Sequence, residues 1–304
     1  MNFIRGVLIG AAEVVPGVSG GTLALIVGVY RTLIDAVADA VMAVRRLLGL
    51  APGGASFAAF VQGIKHLPWR LLIPLGIGMV AALVAGAKIL EPLLETQPIQ
   101  MRALFFGLVI AGTYVPAHMV TKTVGGRWRV SDLLIALVAA AVLFVVTGLP
   151  PANITDPNPL VVFFAAAIAI CALVLPGVSG SFLLLSIGLY ETTINAVNER
   201  NFGYLLIFAA GAVLGLAVFV SLLKWLLEHK ARITLVIITG LMIGSLRALW
   251  PWQTDDRDLL APTESMLSAL LLFVAGVALV AVLLVIERRF GASEEQADAE
   301  ILNR

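Results

Sequence analysis

The sequence predicts an all-α integral membrane protein with an inverted structural repeat, each half made of one re-entrant helical hairpin plus three transmembrane helices. Three observations lead there. Apolar residues make up 60% of 304 and charged residues only 13%, with a mean hydropathy of +1.02. Soluble domains carry about 25% charged residues, so this chain lacks the polar surface to face water. Two apolar stretches half a chain apart are interrupted by the same phrase, Pro-Gly-Val-Ser-Gly. Basic residues concentrate in alternate loops.

The first repeat, 1–150, opens with a hairpin over 3–37. Its incoming arm, 3–15, reaches about 20 Å as a helix, too short for a hydrocarbon core of roughly 30 Å. The returning arm runs from Gly20 to Tyr30, just before Arg31. Both arms therefore reach mid-membrane, which puts Glu13 and the glycine turn near the midplane. A basic cytoplasmic loop follows over 38–69, with 45–68 as a small soluble appendage. Three spans come next, at 70–94, 102–120 and 131–150. The second repeat, 151–290, holds a hairpin over 163–197 and spans at 203–227, 233–250 and 265–286. A charged cytoplasmic tail, 291–304, ends the chain. The first apolar run shows no small-residue cleavage site, so no removable signal peptide is expected.

The duplication is visible by shifting the chain by 160. Pro16 to Gly20 then fall on Pro176 to Gly180, and thirteen of the 22 positions 16–37 meet identical residues. Beyond them the register becomes 133: Gly78 meets Gly211, and "GLVI" at 107–110 meets "GLMI" at 240–243. Self-similarity at a fixed period outranks local pattern. Charge then decides between parallel and inverted halves. If both broken segments re-enter and the termini are cytoplasmic, eleven basic residues fall inside and four outside, in accord with the positive-inside rule. If they cross, the basic loop 45–70 moves outside, against it.

A turn in mid-membrane frees backbone N–H and C=O groups, each costing several kcal/mol in lipid. Such a turn is viable when buried in protein or facing a polar cavity. Inverted repeats with broken helices meeting at the midplane are the architecture of transporters, and the breaks mark the binding site. Ser19 and Ser179 are N-cap residues for the outgoing arms. Gly17, Gly20, Gly21 and Thr22 in the first turn, with Gly177, Gly180 and Ser181 in the second, would offer bare N–H groups and hydroxyls to an anion. Glu13 is the sharper signal, because a midplane acid is expensive and usually functional. Its counterpart is Leu173, so the chemistry is asymmetric. The bland alternatives are close packing of small residues and a Glu13 that merely props freed backbone. Arg5 at the inner mouth, and Arg102 and Arg247 at the outer, are candidates for attracting a headgroup. His66, His118 and His229 lack ligand spacing, so no metal and no cofactor is expected. Cys171, the single cysteine, builds no disulfide framework.

"GAAEVVPGVSGGTLALIVGVY" and "ICALVLPGVSGSFLLLSIGLYE" together resemble a bacterial family, long catalogued as a domain of unknown function, of polyprenyl-phosphate (undecaprenyl-phosphate) translocases. The resemblance covers nearly the whole chain. It implies a plasma-membrane flippase returning undecaprenyl phosphate from the outer to the inner leaflet for cell-wall synthesis, with Glu13, Pro16 to Thr22 and Pro176 to Ser181 as working positions. Protons are the candidate coupling ion, no nucleic-acid partner is expected, and a homo-oligomer is compatible with the pattern. Two rivals stay open. A secondary transporter of a small anion would show an enclosed cavity. A membrane undecaprenyl-pyrophosphate phosphatase shares hairpins and an E-x-x-P-x-S phrase, which Glu13 to Ser19 fit in part. That enzyme's second motif fails here, because Gly180 stands where an arginine is needed to neutralise pyrophosphate. No enzymatic activity is therefore expected.

Overall fold

The computed structural model describes residues 1–14, 19–52, 54–122, 125–150, 154–254, 256–263 and 265–302. Among them are fourteen α-helices and no strand. In the first half these are α1 (Asn2–Val14), α2 (Gly20–Ile26), α3 (Tyr30–Leu47), α4 (Phe57–Lys65), α5 (Trp69–Thr96), α6 (Pro98–Gly112), α7 (Tyr114–Lys122) and α8 (Val130–Thr147). The second half contains α9 (Pro159–Val174), α10 (Gly180–Ile187), α11 (Tyr190–Asn198), α12 (Phe202–His229), α13 (Ala231–Ser245) and α14 (Met266–Leu302). A 3-10 turn, Leu246–Leu249, extends α13.

Six of these units are long and apolar enough to cross a membrane: α5, α6 with α7, α8, α12, α13 with its 3-10 turn, and α14. They coincide with the six continuous spans expected from sequence. Their outer faces are greasy, as at Ile77 and Val84 on α5, Leu137 on α8 and Val213 on α12. Lipid solvates such surfaces without cost, so burial is not needed to stabilise them. The α6–α7 and α13 units are more buried than the other four. They form the middle of the bundle. One expectation is corrected: residues 45–68 are not wholly loop. Ser56 caps α4 by accepting a hydrogen bond from the Ala59 N–H at 3.2 Å, and α4 packs on α3.

The helix pairs fall into two corresponding sets. α1 lies along α5 and α9 lies along α12, while α6 pairs with α14 and α13 pairs with α8. Each half thus lends its last helix to the other half's central span. Small residues make the approach close enough for backbone contact. A Cβ on Gly78 would strike the carbonyl of Phe3, and one on Gly211 would strike that of Phe163. Those residues are equivalent under the two shifts read from the sequence. Gly107 against Phe273 and Gly240 against Ala136 make equally close approaches at the second pair of interfaces; the two glycines are equivalent under the shift of 133, while their partners are offset by four residues, one helical turn.

The two broken segments sit at the centre. α2 is bent 119° from α3 and touches α1, α6, α7, α9 and α14. Its Ile26 is fully buried and packs 2.7 Å from the space where Gly112 lacks a Cβ. In the second half, α10 packs back along α9. The Ile154 N–H donates to the Gly188 carbonyl at 2.8 Å, and Thr192 donates its hydroxyl to the Ile154 carbonyl at 2.6 Å. The chain entering α9 and the chain leaving α10 are therefore side by side.

Candidate functional site at the paired turns

Each returning helix starts on a serine cap. Ser19 has extended backbone and accepts from the Gly21 N–H at 3.2 Å. Ser179 is likewise extended and accepts from the Phe182 N–H at 3.4 Å. Its hydroxyl also shares a hydrogen bond of 3.0 Å with Ser181, which is exposed. Both caps are almost wholly buried, at 1% and 7% exposure.

The two turns meet. The Gly177 N–H donates to the Thr22 hydroxyl at 2.8 Å, and the Ser19 hydroxyl donates to the Leu175 carbonyl at 3.1 Å. Tyr30 donates its phenol to the Val174 carbonyl at 3.1 Å. Three polar contacts thus bind the first turn to the end of α9, and Thr22 is fully buried between them. Gly177 needs its missing side chain twice over: its φ is +87°, and a Cβ would lie 2.8 Å from the Met242 Cα. Left-handed backbone of that kind is tolerated mainly by glycine.

Glu13, half-buried on the last turn of α1, reaches across to the first returning arm. Its Oε1 accepts from the Gly20 N–H at 3.0 Å. A Cβ on Gly20 would collide with that carboxylate, while Cβ atoms on Gly21 and Gly180 would lie 2.8 and 2.6 Å from the carbonyl oxygens of Val174 and Ala169. The sequence leads one to expect bare backbone here; in this structure the protein's own oxygens occupy it. Three donors that would suit an anion, the N–H groups of Gly20, Gly21 and Gly177, are held by Glu13, Ser19 and Thr22. Gly17, with Pro16 and Val18, lies outside the described residues.

Behind the second turn is a small cavity of about 10 Å³, walled by Thr147, Gly177, Ser179, Phe182, Ser245 and Ala248 among others. That is room for about one water molecule. Of the three arginines singled out from sequence, Arg247 is the one set beside this cavity, between Ser245 and Ala248. Arg5 donates to the Asn2 side chain at 3.1 Å near the start of α1. Arg102 is half-buried in the first turn of α6. Sequence reading missed Arg257, buried at 7% exposure next to α10. No group of three or more His, Cys, Asp or Glu able to hold a metal occurs among the described residues.

Comparisons with known proteins give the family. The family described as "VCA0040-like: Undecaprenyl phosphate translocase-like" matches residues 9–267. A polyprenyl-phosphate transporter of Vibrio cholerae is 37% identical over 256 residues, 83% of this chain and 78% of that protein. A polyprenyl-phosphate transporter of Staphylococcus aureus is 29% identical over 266 residues, 83% of this chain and 86% of that protein. No solved structure matches.

Proposed function

The chain belongs to the undecaprenyl phosphate translocase-like family, and on that premise we propose that it moves a polyprenyl phosphate between leaflets, taking the phosphate at the paired turns. The observation that carries the reading is the set of hydrogen bonds between the two turns. The N–H groups of Gly20, Gly21 and Gly177 are each satisfied by a side-chain oxygen, whose place a phosphate oxygen could take. Opening the Thr22–Gly177 contact exposes two buried turns to a headgroup and returns them to each other when it leaves. An anion held by N–H groups and hydroxyls, with no lysine or arginine in either turn, is bound loosely enough to be released.

Glu13 gives the step a direction. Its carboxylate and a phosphate compete for the Gly20 N–H, and their like charges repel. Protonating Glu13 removes both obstacles, so a proton taken up with the headgroup couples transport to the proton gradient. Outer-to-inner movement would return the carrier for cell-envelope synthesis in the plasma membrane. The termini lie on the cytoplasmic side, and the two repeats, 1–150 and 151–290, are inverted. Re-entry of the second segment is supported by the Ile154–Gly188 hydrogen bond, which brings its two ends to one side. The isoprenoid tail needs an apolar path. A cavity of about 530 Å³, lined by Phe106, Trp250, Trp252 and Phe273 with other apolar neighbours, offers one between α6 and α14.

The test is leaflet exchange of a polyprenyl phosphate in reconstituted vesicles. Ser19→Ala with Ser179→Ala should slow exchange at least tenfold, while the dephosphorylated polyprenol is not moved by either protein. Equal exchange by wild type and double variant would remove the turns from the mechanism.

A further inference from the structure

Arg247 and Arg257 present sealed guanidinium atoms without acceptors. The loop after α13 folds back on itself through a Thr254 N–H to Asp258 carbonyl hydrogen bond of 3.0 Å and a Leu260 N–H to Trp252 carbonyl bond of 2.8 Å. Near its tip Arg257 has a φ of +67°, a conformation in which glycine or asparagine would be more comfortable. Its side chain turns inward instead. Nη1 donates to the Leu149 carbonyl at 2.7 Å and to the Ser186 hydroxyl at 2.9 Å, and the guanidinium lies 4.1 Å from the Phe182 ring centre. Its Nη2 is buried and bonded to nothing.

Arg247 converges on the same region. It lies 4.7 Å from the centre of the Phe144 ring, and its Nη2 donates to the Arg257 carbonyl at 3.3 Å. Its Nε is again buried without a partner. The position is built for it: a Cβ on Gly148 would occupy the guanidinium's own space. Among the described residues no carboxylate pairs with either arginine. Asp256 and Asp258, the nearest in sequence, are exposed. Burial without a counter-charge pulls Arg257 below its ordinary pKa. A buried cation, Arg257, and a half-buried one, Arg247, each with a sealed spare donor, lack an anion, and the fork of a guanidinium matches phosphate oxygens.

We propose that Arg247 and Arg257 form a phosphate-monoester site at the outer mouth, a receiving station separate from the paired turns. Phe182 belongs both to this site and to the small cavity behind Ser179, so a headgroup released by the arginines is next to the second turn. The proposal rests on the transport reading above. It goes beyond that reading by giving the headgroup a cationic site that the turns lack.

The experiment titrates the purified protein in detergent with farnesyl phosphate, inorganic phosphate and farnesol, reading affinity through the ligand-induced rise in melting temperature. Wild type should bind farnesyl phosphate and ignore farnesol. Arg247→Gln and Arg257→Gln should each weaken binding about tenfold, the scale of one lost charge-assisted hydrogen bond. Gly148→Ala, which keeps both charges but displaces the Arg247 guanidinium, should weaken it too. It also decides the matter if a Gln variant does not fold. Tighter binding of farnesyl phosphate than of inorganic phosphate assigns the site to a lipid headgroup; the reverse assigns it to free phosphate and keeps the arginines as the site. Unchanged farnesyl phosphate affinity in folded variants, alongside normal lipid exchange by wild type, sinks the arginine site and leaves the transport reading standing. A wild type that binds no phosphate and exchanges no lipid sinks both.

Discussion

At the residue scale the decisive contacts are those in which one turn satisfies the other. Thr22→Val keeps shape and volume but leaves the Gly177 N–H buried with no acceptor, which costs about 1–3 kcal/mol. Thr22→Ser restores the oxygen and should recover the loss, as read by thermal unfolding in detergent. A melting temperature unaffected by Thr22→Val would mean that the turns do not hold each other. Glu13→Gln asks a different question, because it keeps a side-chain acceptor for the Gly20 N–H while removing the titrating charge. Exchange should fall about tenfold, on the scale of one charge-assisted contact, and should lose its dependence on pH. Undiminished, still pH-dependent exchange in this variant counts against the proton-coupled scheme. The serine caps were legible from sequence, since each follows Pro-Gly-Val and precedes an apolar run. The Thr22–Gly177 bond was not. The repeat pairs Thr22 with Phe182, so this contact crosses between non-equivalent positions and leaves no trace in the self-alignment.

At the element scale, helix pairs here approach through glycine because lipid provides no hydrophobic drive to press helices together. Gly78 and Gly76 make a matched comparison on one helix. A Cβ at Gly78 would strike the Phe3 carbonyl, whereas nothing lies within 4 Å of Gly76. Gly78→Ala should therefore destabilise by about 1–3 kcal/mol through overpacking. Gly76→Ala should be neutral or stabilising, by up to about 1 kcal/mol, through helix propensity. Equal effects of the two substitutions would refute the α1–α5 packing. The six spans could be read directly because roughly 20 apolar residues leave a helix no alternative in lipid. α4 escaped notice because nine residues on the surface carry too little hydropathy signal; Ser56 ahead of Phe57 was its one available mark. Arg257 was illegible for another reason. Its burial depends on a loop closing over Leu149 and Ser186, more than 70 residues away in sequence, and no local pattern encodes that.

At the scale of the whole molecule, the architecture turns on whether the broken segments return to the side they came from. If the second segment re-enters, the chain before α9 and the chain after α11 lie on one side of the membrane; if it crosses, they lie on opposite sides. Asp156 and Glu199 flank that segment and are both exposed. Cys171, the single native cysteine, can be replaced by serine to give a silent background. In it, Asp156→Cys and Glu199→Cys should both react with a membrane-impermeant maleimide added to intact cells. The first segment gives a parallel test, since Asn2, half-buried at the start of α1, and the exposed Lys65 stand before and after the first hairpin. Asn2→Cys and Lys65→Cys should both be protected until the membrane is opened. Each comparison is between two positions, so agreement within a pair is informative whichever face the pair occupies. A split result, one member of a pair labelled and the other protected, would make that segment a full crossing. The two turns would then no longer approach from opposite leaflets, and the hydrogen bonds between them would join two transmembrane breaks instead of two hairpin tips.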